Sequence, residues 1–508
     1  MIGMRSRRWS AEGMMTLLGA LWLGLFPLWQ DGSYSRITRA KWLGMLALCG
    51  VTAVAVLGLI IARRGRRQGK PRLLPAQWLA LAYLGWLGLS ACFGSFADSV
   101  NDSGQLAVLM GARRYEGLAA QACYVGLFLC MSLYQPRLRT VMNAAALGML
   151  IYGGIVALQY AGHNPFGLFP ETLSVRTNYE FQGPIGNIDM VSGYLCLIVP
   201  ALLYGFALAA AGPLCLLGGG AGTLLLLLME VQSGVIALAV ALAGLALLAI
   251  LRPEIRGRAC LALGCALAMV SIRGLTGLPW LDGTETVAFP YAISVGKLAP
   301  LLLAAGLALL AVVLARHPGP RIPARWLLIL LALGLVAVLV IGLAYDVPEN
   351  SALWEWQEVL RGRGQDAFGS ERLGIWRLTL EMARDNLLFG TGPDTFWYAM
   401  ERYQIQTGQR LVQRFDNPHN MPLAVLSGSG VPALILYVAL MAAVAAGCLR
   451  ASRRDAWPLA LLAGLGAYMI QGLFTFSICL VTPMFWVMLG MAVARTDRQE
   501  GAQDGDSI

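Results

Sequence analysis

The sequence predicts an all-α polytopic membrane protein of about 14 transmembrane helices (12–14) with a mainly helical external loop domain, and three observations carry that prediction. First, 57% of the 508 residues are apolar and only 13% charged, with a mean hydropathy of +0.64. Soluble domains carry about 25% charged residues. Second, apolar stretches of spanning length recur along the chain; a helix rises about 1.5 Å per residue, so about 20 residues cross a hydrocarbon core of about 30 Å. Third, arginine collects in alternate short loops, as cytoplasmic loops of membrane proteins do.

The spans read, in order, near 14–29, 42–62, 76–93, 117–134, 141–161, 190–210, 213–229, 231–251, 259–272, 297–315, 326–345, 420–449, 457–475 and 478–495. The pair 213–229 and 231–251 is joined tightly through Glu230 to Ser233, and 259–272 is short enough for a re-entrant helix to be an alternative. With the N-terminus inside, the loops 63–75, 135–140, 252–258, 316–325 and 450–456 are cytoplasmic, and each carries arginine: Arg63, Arg64, Arg66 and Arg67, then Arg137 and Arg139, Arg252, Arg256 and Arg258, Arg316, Arg321 and Arg325, and Arg450, Arg453 and Arg454. The net charge of +10 therefore reads as topology and contact with anionic membrane lipids, and no nucleic-acid partner is expected. Met14 to Trp29 lacks a small-x-small cleavage pattern and reads as a first span. The ten cysteines lie in apolar segments and suggest packing, without a disulfide framework or zinc spacing.

The interiors of these stretches carry no Asp, Glu, Lys or Arg; Glu230, Arg273 and Lys297 stand at or between span ends. Ionisable residues inside a bundle are costly and mark transport pathways. Their absence places the chemistry at the outer surface, where the loops are 94–116, 162–189, 273–296 and a long segment 346–419. A connection of that length is functional or a small domain. Within it, "SERLGIWRLTLEMARDNLL" predicts a helix capped by Ser370, with Leu373, Trp376, Leu380, Ala383 and Leu387 as its apolar stripe. "FGTGPDTF" ends that helix with turn chemistry, and Trp354 and Trp356 beside charges suggest an interfacial helix. The arginines of this loop are balanced by acids, so a solvated surface is the plain reading for most of them.

One of the chain's three histidines, His419, stands where this polar loop enters an apolar run. It suits a general base near neutrality, and a helix-capping interfacial histidine is the alternative. Arg372 could serve an anion through its planar fork or pair on the helix surface with Glu371 or the Glu381 region. Asn420 could hold the imidazole or a sugar hydroxyl, or cap the following helix. His163 lies in a turn, "GHNPFGLF", after a span. Asp189 is an alternative base where the 162–189 loop re-enters the membrane. No Asp-x-Asp or clustered ligand set occurs in the outer loops, so no metal and no cofactor are expected.

Three stretches together resemble the O-antigen ligase and polymerase family of membrane glycosyltransferases: "GPIGNIDMVSGYL" at 183–195, "SERLGIWRLTLEMARDNLLFGTGPDTF" at 370–396, and His419-Asn420 followed by Gly428, Gly430 and Pro432. The similarity covers roughly 185–490; "DGSYSRITRAK" at 31–41 and "RRYEGL" at 113–118 fit more loosely. The resemblance divides the chain into N-terminal transmembrane helices (1–182), a ligase-like region (183–495) holding the external loop 346–419, and a cytoplasmic polar tail (496–508). It implies a bundle of the GT-C type. It implies transfer of a glycan from a polyprenyl-diphosphate carrier such as undecaprenyl diphosphate to a hydroxyl of a lipid, glycan or protein acceptor, in cell-envelope polysaccharide biosynthesis. The site would face outward from a bacterial plasma membrane, with both termini cytoplasmic.

On this resemblance His419 is the general base and Arg372 stabilises the diphosphate, with Asn187, Asp189, Asn420, Arg176, Arg113 and Arg114 as substrate-binding candidates. The chain departs from the family where a Ser-Arg pair usually begins a span: "EVQSGVIAL" offers Ser233-Gly234. The alternatives are a flippase or other transporter of lipid-linked oligosaccharide, against which stand the uncharged spans, the structured loop and the lack of related halves, and a non-catalytic assembly partner.

Overall fold

A computed structural model describes residues 10–64, 73–175, 177–275, 299–317, 352–369, 371–408 and 415–501, with isolated positions between 319 and 349. All but three positions of the span read at 326–345, together with Ser370 and Arg176, lie outside the described residues. Among the described residues the chain is an all-α polytopic membrane protein: eight helices are long and apolar enough to cross a membrane, and four shorter apolar helices accompany them.

In chain order the helices are α1 (Ala11–Ala20, tightening through Phe26–Leu28), α2 (Ile37–Arg64), α3 (Pro75–Phe93), α4 (Leu118–Ser132), α5 (Leu138–Tyr160), α6 (Ile188–Ala207), α7 (Pro213–Met229), α8 (Gln232–Leu251), α9 (Arg256–Leu275) and α10 (Ala299–Arg316). Then come α11 (Ala352–Leu360), α12 (Arg372–Arg384) and α13 (Phe396–Thr407) of the long loop, and α14 (Met421–Ala451), α15 (Trp457–Gln471) and α16 (Thr482–Gly501). The segment weighed as re-entrant, 259–272, lies within the 20-residue helix α9. The only strands among the described residues are Phe181–Gln182 and Gly186–Asn187, paired antiparallel.

The first and last parts of the chain share one bundle: α16 packs on α4, α14 on α3, and α15 on α6. The apolar window of α6 is wholly buried, which makes it the axis of the bundle. One expectation is corrected here. The second helix starts at Ile37, earlier than read, and brings Lys41 inside with no exposed surface. Its ammonium donates to the carbonyls of Phe26 (2.8 Å) and Pro27 (3.0 Å). Carbonyls left over at a helix end have no water to bond inside a bundle, so this buried donor completes the end of α1.

Short loops gather at two ends. At one, Arg137 pairs with Glu12 (3.3 Å), Arg495 pairs with Asp455, and Arg258 donates to the Phe206 carbonyl (2.6 Å). At the other, the Tyr34 hydroxyl donates to the Gly183 carbonyl (3.1 Å) and the Asn420 amide to the Leu473 carbonyl (2.9 Å), tying the turn before α2 to the 162–187 loop and the end of the long loop to the 472–481 segment.

The long loop is anchored in the bundle through a break in α14 at Gly430 (φ 79°, ψ 178°). The turn Phe389–Pro393 fills that break. Thr391 N–H donates to the Ser427 carbonyl (2.9 Å), Gly392 N–H to the Gly428 carbonyl (2.8 Å), and Val431 N–H to the Leu387 carbonyl (2.8 Å). From α3, the Ser90 hydroxyl donates to the Phe389 carbonyl (2.6 Å) and the Trp86 indole to the Ser429 carbonyl (3.1 Å). Irregular backbone at this depth is tolerated because protein partners replace the missing helical bonds.

The apolar face expected on α12 is corrected in part: Ala383 is buried and Trp376 packs on the core of the loop as expected, but the rest of the buried arc differs. Ile375, Leu378 and Met382 are buried and pack on Phe396, Ala399 and Met400 of α13, while Leu380 and Leu387 are 46% and 53% exposed. The helix lies between α13 and α14, so the buried arc is set by two neighbours rather than by its most leucine-rich stripe.

Candidate functional site

His419 closes the long loop immediately before α14. Its backbone is left-handed (φ 49°), a costly state for a residue with a side chain, and is held by its N–H donating to Asn417 Oδ1 (2.9 Å). The rings of Phe415 and Phe476 stand nearly perpendicular to the imidazole at centroid distances of 5.6 and 5.2 Å. The Trp376 indole of α12 donates to the carbonyl of Pro418 (3.0 Å), which docks that helix onto the histidine loop.

Arg372 is the first residue of α12, after Glu371 in a left-handed conformation (φ 65°). One of its terminal nitrogens donates to the Gly369 carbonyl (3.3 Å), and its Nε is buried with no partner. Arg114, from the 111–117 loop, makes a bidentate pair with Asp416: Nε to Oδ2 at 2.6 Å and a terminal nitrogen to Oδ1 at 2.9 Å. Its guanidinium lies 4.1 Å over the Phe476 ring, which stands nearly perpendicular to the His419 imidazole. Arg372 and Arg114 both face His419, and both face Asp189 at the start of α6, together with Glu180. Burial, then Arg372 and Arg114, pull the His419 imidazole down to about 4, with Asp416 opposing. The ring is neutral at neutral pH and can accept a proton.

The remaining candidates are spread out. Asn187 caps α6 by accepting the Asp189 N–H (3.0 Å). Asn420 caps α14 by accepting the Leu423 N–H (3.0 Å) while its amide donates to Leu473, so both ends of this side chain have protein partners. The Arg113 guanidinium stacks 3.8 Å over Trp397 of α13. Gly234 is buried in α8 against α6, and a Cβ there would overlap Ser192 Oγ and come within 2.8 Å of Leu226. This packing has no room for an arginine at the position where the family's usual pattern places one.

Sequence reasoning missed the acids behind the histidine loop. A cavity of about 110 Å³, room for several waters, is lined by Arg114, Asp416, Glu116, Asp394, Tyr83 and Tyr437 among others. Glu116 Oε1 accepts the Tyr124 hydroxyl (2.6 Å), its Oε2 is buried without a partner, and its N–H donates to Asp394 Oδ2 (3.2 Å). Burial pushes Asp394 up to about 7 and Glu116 well above its ordinary value. "RRYEGL" and "TGPDTF" hold these residues at either side of the chain's middle, and no local signal joins them. Among the described residues no three His, Cys, Asp or Glu side chains form a metal-holding group.

Asp394 gives a pH signature. An unfolded Asp ionises near 3.8 and the folded one near 7, so the unfolded chain releases a proton first and stability falls as pH rises through that window. Asp394→Asn keeps an acceptor for the Glu116 N–H and removes the buried charge. Its melting temperature in detergent is expected to exceed wild type at pH 8 by more than at pH 5. Equal gains at both values would contradict the buried ionisation.

No curated protein matches the chain. The family model described as O-Antigen ligase matches residues 293–438, a segment that includes Arg372, the Phe389–Pro393 turn, Asp394, Asp416, His419 and the break in α14. The expected resemblance is confirmed over that segment: residues 293–438 are similar to the O-antigen ligase family.

Proposed function

We propose that the protein transfers a glycan from a polyprenyl-diphosphate carrier to an acceptor hydroxyl, as a ligase or polymerase of cell-surface polysaccharide, in a bundle of the GT-C type. The observation that carries this reading is the gathering of Arg372, Arg114 and Asp416 around His419 where the loop enters the bundle. A lipid-linked donor presents its diphosphate at headgroup depth, so the base beside it is held at that depth too. The acceptor oxygen attacks the anomeric carbon, the bond from that carbon to the diphosphate oxygen breaks, and its electron pair leaves with the diphosphate. His419 takes the acceptor proton, and Arg372 meets the charge developing on the leaving phosphate. Fixed guanidinium charge does the work a metal ion would otherwise do, so the reaction is proposed to need none.

Asp189, which faces both arginines, is proposed to bind sugar hydroxyls. The arginine-rich loop ends and the site lie at opposite ends of the bundle, which supports cytoplasmic termini and an outward site on a bacterial plasma membrane. Lys41, buried and donating to two backbone carbonyls, reads as structural rather than as part of a transport path.

The test uses purified protein in nanodiscs with a polyprenyl-diphosphate oligosaccharide and candidate lipid, glycan and protein acceptors. His419→Ala is expected to slow product formation by about 100-fold or more, as loss of a general base does, and a chelator to change nothing. A wild type that forms no product with any acceptor yet moves the lipid across the bilayer would replace this reading with transport.

A further inference from the structure

A general base works best when its proton affinity matches the working pH, yet burial, and after it the two arginines facing His419, hold its affinity far below neutrality. The charges facing the imidazole are Arg372 from α12, Arg114 from the 111–117 loop and Asp416 from its own loop; the 472–481 segment contributes the uncharged Phe476. With two cations against one acid, the resting site favours an unprotonated ring. Asp416 is also committed elsewhere: both its oxygens bind Arg114, and Oδ1 accepts the Asn417 amide (2.7 Å). Asn417 in turn accepts the His419 N–H, so Asp416 is tied to the histidine through one side chain.

We propose that Asp416 is a positioning residue that changes partners when the donor arrives: the diphosphate draws the Arg114 fork away, and Asp416 turns to support His419 as the base. The inference rests on the glycan-transfer reading and adds an order of events to it. A guanidinium fork binds phosphate oxygens as readily as carboxylate oxygens, and a diphosphate brings more negative charge than the single carboxylate it displaces. With the donor bound, Arg372 and Arg114 are compensated, and the freed carboxylate faces an imidazole about to become positive. The base therefore gains strength only when there is a leaving group to displace, and the acceptor is deprotonated after the donor has bound. No side chain at position 234 can supply this second cation in the packing observed, whereas Arg114 already faces both His419 and Asp189.

The measurement is an NMR titration of the His419 imidazole, made the only histidine signal by His163→Gln and His317→Gln, with farnesyl diphosphate as the probe. Binding is followed independently by the probe's ³¹P shift. In the free protein the midpoint is expected near 4, and with probe bound it is expected to rise by about one unit, a gain of about tenfold in proton affinity, with burial still holding it below the free-histidine value. Asp416→Asn should lose at least half of that movement in midpoint. Arg114→Ala, which does not depend on the Asp416 variant folding, should raise the midpoint of the free protein by about tenfold in affinity and shrink the response to probe. Probe binding with an unmoved midpoint overturns this inference alone, as does an Asp416→Asn variant that responds fully or an Arg114→Ala midpoint equal to wild type. Failure of the probe to bind at all overturns the donor reading with it.

Discussion

Arg372→Ala is expected to lower the rate of glycan transfer at saturating donor by about 10²–10³-fold, the cost of removing a fixed donor aimed at developing charge. The expectation rests on where the arginine stands. It is the first residue of α12, where the helix dipole is positive, and no acid occupies the first turn to offset either charge. Two positive features placed together are locally unfavourable, and an anion at that point relieves both. The buried Nε without a partner is the same signal at the level of one atom. The ion pair with Glu371 or Glu381 that the sequence allowed is not what the Arg372 side chain makes; its hydrogen bond goes to a backbone carbonyl. Because that 3.3 Å bond is long, the alanine variant should melt within a few degrees of wild type, separating chemistry from folding. Lysine restores the charge without the planar fork, and should recover only part of the rate. The loss should appear in kcat more than in KM, since the leaving oxygen carries its full charge only as the bond breaks. A variant within threefold of wild type would remove Arg372 from the site.

The fate of individual residues shows why parts of this protein are legible in one dimension and others are not. Apolar length is a local property, so the described helices fall where hydropathy puts them. His419 stood out at the boundary between loop and span, whereas Arg372, which reads first as a helix-surface ion pair, was singled out by the family resemblance. Lys41 escaped because a charge four residues inside α2 looks like a flank until the end of α1 is seen to need its protons. Arg114 and Asp416 are 302 residues apart and join only when the bundle closes, so the sequence could offer Arg113, Arg114 and Arg176 as candidates without choosing among them. The buried face of α12 went wrong in part for a related reason: periodicity shows that a helix is amphipathic, while neighbours decide which arc is covered.

The break in α14 yields the largest expected effect on the fold. Gly430 has a backbone that side-chain-bearing residues rarely adopt (φ 79°, ψ 178°), and a Cβ there would overlap the Leu388 carbonyl oxygen. Gly430→Ala must either expel the Phe389–Pro393 turn or straighten the helix, and both outcomes break the bonds from Thr391, Gly392 and Val431. Those backbone groups would then lie unsatisfied among apolar side chains, each costing about 1–3 kcal/mol, so the total exceeds what the folded end of the bundle can absorb. The turn leads into Asp394 and follows α12, hence Arg372 and His419 lose their common frame together with the bundle end. The variant is expected to give little monodisperse protein in detergent, a melting temperature lowered by many degrees, and no transfer activity. Gly85→Ala on α3 is the matched control, because a Cβ there meets nothing within 4 Å, and it should behave as wild type in all three respects. If Gly430→Ala melts and turns over like Gly85→Ala, the turn does not hold the loop to the bundle. The site would then have to be positioned by the contacts of Trp376 with Pro418, Asn420 with Leu473 and Arg114 with Asp416.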